Sequence, residues 1–131
     1  MRFTEAELTV ALTSVAKATL TAQSKDIRKG RVDVEDAWRD LGGYGRYQLL
    51  DSLGTQLLPV LVSLPDVPRV AGERPSYTAA EVRAAVEEHV DPTLGRLRRT
   101  AVVVATAALV QSALAALPPW TEAAGPSSAP A

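Results

Sequence analysis

The one histidine of the chain, His89, lies among acidic residues, a combination that can carry protons or bind metal ions. Glu87 and Glu88 precede it and Asp91 follows it. Neighbouring residues on a helix point in different directions, so Glu88 and His89 would not face one ligand. We therefore interpret His89 as a side chain in the last turn of a helix, where the dipole favours a cation.

Three other groups of residues could in principle bind a metal ion, bind phosphate or act as a nucleophile, and each has a simpler structural interpretation. A metal site in the acidic cluster at 33–40 would need converging oxygens, and the spacing is not that of an EF-hand. The glycine-rich segment 42–45 lacks the frame of a phosphate loop, and no serine stands in a GxSxG motif. Cysteine is absent. We therefore predict no catalytic, cofactor-binding or metal-binding residue, no cofactor and no enzymatic activity. The acidic cluster consists of Asp33, Glu35, Asp36 and Asp40.

A basic segment between residues 25 and 31 is the best candidate for contact with nucleic acid. Its cations could meet phosphates, and Tyr44 and Tyr47 downstream could stack on bases. The net charge of the chain is only −1, however, and the acidic residues that follow could neutralise the segment. A solvated connector is the favoured interpretation, and nucleic acid is an unlikely partner. The candidate residues are Lys25, Arg28, Lys29 and Arg31.

The elements that must position these residues are all predicted to be helices. Hydrophobic residues make up 47% of the 131-residue chain and aromatic residues only 5%, so the core must consist of Ala, Val and Leu. Small side chains of this kind suit closely packed helices. Thr4 with Glu7 and Thr78 with Glu81 have the spacing of capping boxes, which mark helix starts.

Helical periodicity and stop signals then give the element boundaries. Pro59 is expected to kink the third helix, and Asp91-Pro92 is expected to start the last one. Residues 65–77 contain three prolines and a glycine and are predicted to be a long loop. The fold class is all-α, a small bundle of about five helices. The predicted helices are 5–24, 34–41, 44–64, 79–90 and 92–117.

The segment 100–117 contains no charged residue. Its apolar side chains recur around most of the helix, so little of its circumference can face water. Such a helix belongs inside a bundle, at a subunit interface or in a membrane. Val103, Ala107, Val110, Leu114 and Leu117 form one stripe, and these five are predicted to bind a partner.

A membrane-spanning helix is the main alternative for this segment. Eighteen residues rise ~27 Å, close to the thickness of the hydrocarbon layer. Three arginines at 96–99 flank one end, and Trp120 stands near the other, as in membrane helices. Much of the segment is alanine, which contributes little to insertion, and Gln111 opposes it. A buried or intersubunit helix is therefore preferred.

These observations predict a single helical domain over 1–119 and a flexible Ala/Pro/Ser tail over 120–131. The expected function is that of a non-catalytic interaction protein, an adaptor or structural subunit of a larger assembly, of bacterial or phage origin. A homo-oligomer or larger assembly is expected. The alternatives are a membrane-tethered cytoplasmic domain anchored by 100–117 and a small nucleic-acid-binding regulator that uses 25–31. The expected location is the cytoplasm, with an inner-membrane anchor or a virion as alternatives.

Overall fold

A computed structural model describes residues 1–121, and every regular element in that range is a helix. The predicted all-α class with a long apolar C-terminal helix is confirmed. There are six helices over these residues where five were predicted. They are α1 (Glu5–Gln23), α2 (Lys25–Arg28), α3 (Val34–Asp40), α4 (Gly42–Ser63), α5 (Ala79–Glu87) and α6 (Arg96–Ala116).

Both predicted capping boxes are present. The Thr4 hydroxyl accepts from the Glu7 amide at 3.1 Å, and the Glu7 carboxylate accepts from the Thr4 amide at 3.0 Å. Thr78 and Glu81 repeat the arrangement at the start of α5, at 3.1 and 2.9 Å. Each box satisfies two amides that the first turn of a helix leaves without a partner.

Two of the differences from the predicted helices arise because a local cap was misjudged. The Ser24 hydroxyl accepts from the Ile27 amide at 3.4 Å, so the basic connector begins with a short helix, α2. Asp91 does not start the last helix. Its carboxylate accepts from the Thr93 hydroxyl at 2.6 Å and the Thr93 amide at 2.8 Å, which closes a turn, and α6 begins at Arg96.

The centre of the bundle is built by α1, α4 and α6, with α5 packed on α4 and α6, and α3 packed on α1 and α4. A left-handed Gly42, with φ of 73°, lets the chain turn between α3 and α4. Pro59 lies inside α4, and the kink expected there stays a prediction. The largest fully buried side chains are Leu57, Leu64, Leu117, Val15, Val60, Val82, Val86 and Val110.

The loop at 65–77 closes one end of the bundle. The Gly72 amide donates to the Trp120 carbonyl at 2.7 Å, and the Trp120 amide donates to the Glu73 carbonyl at 2.9 Å. Arg74 donates from Nε to the carbonyl of Leu117, at the end of α6. The packed chain therefore reaches at least Trp120, one residue past the predicted domain boundary. The rest of the predicted flexible tail, residues 122–131, lies outside the described residues.

Candidate interaction surface

The side of α6 that faces α1, α4 and α5 contains the residues predicted to bind a partner. Val103, Val110, Leu114 and Leu117 are buried in the core, and Ala107 is half-buried against it. Their surfaces are covered by the same chain. The exposed side chains of α6 are therefore different from the five predicted to bind a partner. We call this buried side the inner face of α6.

The opposite side of α6 is exposed and equally uncharged. Leu97 is 88% exposed and Val104 is 60% exposed. The spacing of the exposed residues along the helix places them on a single side. The expectation that the whole circumference would be covered is therefore not met by residues 1–121 alone. We call this side the outer face of α6. It consists of Leu97, Ala101, Val104, Ala105 and Ala108, all of them exposed.

The first turn of α6 concentrates positive charge at an unfavourable place. Arg96, Arg98 and Arg99 lie where the helix dipole is already positive, and the N-cap residue, Gly95, has no side chain to accept a hydrogen bond. None of the three arginines forms an ion pair within the described part of the chain. The outer face therefore begins at a cationic end.

An apolar groove runs between α1 and α4. One part of it, of about 570 Å³, is lined by Leu12, Leu50 and Leu58 together with Gly54 and Tyr47. A neighbouring part of about 290 Å³ shares the three leucines and extends along the first half of α1. We call the two parts together the α1/α4 groove. Its remaining lining residues are Glu5, Leu8, Thr9, Thr13, Asp51, Thr55 and Pro59.

A buried ion pair stabilises the end of the bundle where α1 begins and α6 ends. Arg69 donates to both carboxylate oxygens of Glu7, and the two side chains are only 14% and 6% exposed. The Arg69 guanidinium also stacks on Trp120, 4.3 Å from the ring centre, and lies 5.9 Å from that of Phe3. Cation–π contacts of this kind favour Arg over an aromatic face. The cluster joins α1, the 65–77 loop and the chain after α6.

Tyr77 anchors the other end of the same loop. Its hydroxyl donates to the carbonyl of Pro65 at 2.7 Å. Burial raises the pKa of the Tyr77 phenol above its usual value, although Arg69 nearby acts in the opposite direction. The phenol therefore stays neutral and keeps its role as a donor at physiological pH.

His89 does not lie in the last turn of a helix as predicted, because α5 ends at Glu87 and His89 lies in the turn that follows. It has a partner that its sequence neighbours did not indicate. Its Nε2 lies 2.6 Å from the hydroxyl of Ser63, at the end of α4. The Ser63 hydroxyl also donates to the carbonyl of Pro59 at 2.9 Å. Which of Ser63 and His89 donates in their own contact depends on the tautomer of the imidazole. The contact joins the end of α4 to the turn that follows α5.

The acidic cluster near α3 is used in local structure. Asp33 caps α3 by accepting from the Glu35 amide at 2.7 Å. Glu35 pairs with Lys17 of α1 at 2.9 Å, and Asp36 pairs with Arg39 at 2.6 Å. Carboxylates that point to separate cations do not converge on a common ion.

The basic residues proposed for nucleic acid are all exposed, but two of them are engaged locally. Arg31 pairs with Asp26 at 3.5 Å, and Arg28 donates to the carbonyl of Ala22. Lys25 and Lys29 lie beside them at either end of α2. Contact with nucleic acid stays a prediction.

Among the described helices, α6 is the one long and apolar enough to cross a membrane by length and composition. Only 22% of its apolar window is buried. The core helix of a soluble protein can meet the same criteria. Comparison of the chain with protein-family models, curated proteins and solved structures found no match.

Sequence reasoning predicted the long apolar C-terminal helix but missed the α1/α4 groove, the Glu7–Arg69 pair and the Ser63–His89 contact. The last two join residues 62 and 26 positions apart. Local spacing carries no signal for such pairs. The partly buried leucines on α1 and α4 follow helical periodicity. That pattern predicts an apolar face on each helix, but it does not predict a groove between the two faces.

Proposed function

We propose that this protein is a non-catalytic helical interaction protein that associates with further copies of itself through the outer face of α6. The observation that carries the proposal is the uncharged outer face with two strongly exposed aliphatic residues, Leu97 and Val104. Apolar surface of this kind is stabilised when a partner removes it from water. Small residues such as Ala101 and Ala108 let a second helix approach closely.

The membrane-tethered domain remains a second candidate because α6 meets the length and composition criteria for a span. A spanning α6 would have to leave the bundle. That would expose the core residues of α1, α4 and α5 now covered by Val103, Val110 and Leu114. Association of the folded domain keeps this core intact, which is why we favour it.

The test is the mass of the protein in solution, measured by light scattering over a wide concentration range, with and without detergent. We expect the mass to rise above that of the monomer as the concentration increases. The Val104→Asp variant should stay monomeric, because association would bury an unpaired carboxylate. The matched control is Val70→Asp, at an exposed loop position, and it should associate like the wild type.

A wild-type protein that stays monomeric at every concentration would contradict self-association. Aggregation without detergent, together with a well-defined mass only in micelles, would favour the membrane anchor instead.

A further inference from the structure

We propose that the partner surface for the outer face of α6 is the α1/α4 groove of a second copy, with the first turn of α6 as the leading contact. This inference rests on the proposed function and names the surface that α6 meets. The first turn contains Leu97 as an apolar anchor and three arginines around it. We call this turn the α6 tip, residues 96–99.

The α6 tip is poorly satisfied in the single chain. Leu97 is 88% exposed, more than any other large hydrophobic residue in the described part of the chain. Arg96, Arg98 and Arg99 repel one another and the positive end of the helix dipole, and within residues 1–121 they have no acidic partner. A partner that supplied an apolar recess and carboxylates would remove Leu97 from water and neutralise the arginines.

The α1/α4 groove supplies both. Leu12, Leu50 and Leu58 form its floor, and its volume of about 570 Å³ has room for an aliphatic side chain. Glu5 and Asp51 lie among its lining residues. Both are exposed, and neither carboxylate forms an ion pair in the described part of the chain. The groove is thus apolar inside and negative at its edge, the complement of the α6 tip.

The α6 tip does not contact the groove of its own molecule, since none of residues 96–99 lines it. The tip is the first turn of a continuous 21-residue helix whose inner face is packed in the core. Bending the tip toward the groove would break the hydrogen bonds of this first turn. The occupant that the charges and the apolar anchor fit is therefore the tip of another copy.

Contact between two different surfaces is heterologous, so each association leaves one free tip and one free groove. Such assemblies grow with concentration unless the geometry closes a ring. One strongly exposed anchor, a short aliphatic helix face and a few ion pairs make a small interface, which suits a weak and salt-sensitive association.

Two variants separate the two surfaces. Leu97→Asp removes the anchor and places an acid at the tip, while Asp51→Lys reverses the charge at the groove. Each variant should raise the apparent dissociation constant about tenfold or more, measured by sedimentation velocity. Val70→Asp and Asp40→Lys are the matched controls, at exposed positions outside both surfaces, and should sediment like the wild type.

The decisive step is to mix the two variants. Leu97→Asp keeps an intact groove and Asp51→Lys keeps an intact tip, so together they can form one tip-to-groove contact. We expect a 1:1 complex that does not grow further. A symmetric interface between identical surfaces would give no such rescue.

The outcomes distinguish this inference from the proposed function. If the wild type associates and Val104→Asp prevents it, but Leu97→Asp and Asp51→Lys have no effect, the groove is not the partner surface and only this inference fails. If the wild type never associates, both fail. Binding of a monomeric wild type to phosphatidylserine vesicles, lost in Leu97→Asp, would make a membrane the occupant and would also overturn it.

Discussion

The inner and outer faces of α6 are both uncharged and aliphatic, yet the inner face is buried and the outer face is exposed. Val103 and Val110 are at most 3% exposed, whereas Val104, one residue away from Val103, is 60% exposed. A rotation of ~100° per residue along the helix separates the two environments. An uncharged helix therefore need not be covered on every side by its own chain. The uncovered side is where a search for partners should begin.

The largest expected effect comes from placing the same charge on each face. Val110→Asp would bury a carboxylate without a partner, and we expect the loss of several kcal/mol of unfolding free energy, enough to unfold a small domain. Val104→Asp should change the unfolding free energy of the monomer by no more than about 0.5 kcal/mol. Chemical denaturation at low protein concentration measures both. Equal destabilisation by the two variants would show that the faces do not differ.

A smaller loss of unfolding free energy is expected at the buried ion pair between Glu7 and Arg69. Arg69→Ala leaves the buried Glu7 carboxylate without its cation, and we expect the free energy of unfolding to fall by about 3 kcal/mol. The matched control is Arg83→Ala, which breaks an exposed pair with Glu87 and should cost about 0.5 kcal/mol or less.

Adding Glu7→Gln to Arg69→Ala should recover part of this loss, because the amide is neutral and its oxygen can still cap α1. Equal costs for Arg69→Ala and Arg83→Ala in the same denaturation experiment would contradict the buried pair.

The smallest effect concerns the turn that leads into the α6 tip. The Thr93 hydroxyl and then its amide lower the pKa of the Asp91 carboxyl by donating hydrogen bonds to it. A lowered pKa in the folded state means that these bonds stabilise the protein above the usual aspartate pKa, and that this contribution is lost as the pH falls through the folded value.

Carboxyl NMR titration should therefore give a lower midpoint for Asp91 in the wild type than in Thr93→Ala. Identical midpoints in the two proteins would show that the hydrogen bond from the Thr93 hydroxyl does not hold the turn.

Much of the fold could be predicted from the sequence because its signals are local. Thr4 with Glu7 and Thr78 with Glu81 fixed two helix starts, and the charge-free stretch marked α6. Asp91-Pro92 misled the prediction because an Asp before Pro can either cap a helix or close a turn.

The candidate surface could not be predicted in the same way. The stripe containing Val103 and Val110 and the side containing Val104 are both apolar, so periodicity alone does not say which one meets α1. That choice depends on how three helices pack together. The acidic edge of the groove depends on it too, since Glu5 lies on α1 and Asp51 on α4, 46 positions apart in the sequence, and both line the groove only when α1 lies beside α4.

Because the chain contains no cysteine, single cysteine variants give the most direct measurement of the accessibility of the two faces of α6. Single variants Val103→Cys and Val110→Cys on the inner face, and Val104→Cys and Ala108→Cys on the outer face, can be compared by their rates of reaction with a maleimide. We predict slow reaction at 103 and 110 at every protein concentration. At 104 and 108 we predict fast reaction in dilute protein and marked slowing as the concentration rises. Outer positions that react equally fast at all concentrations would contradict association through this face.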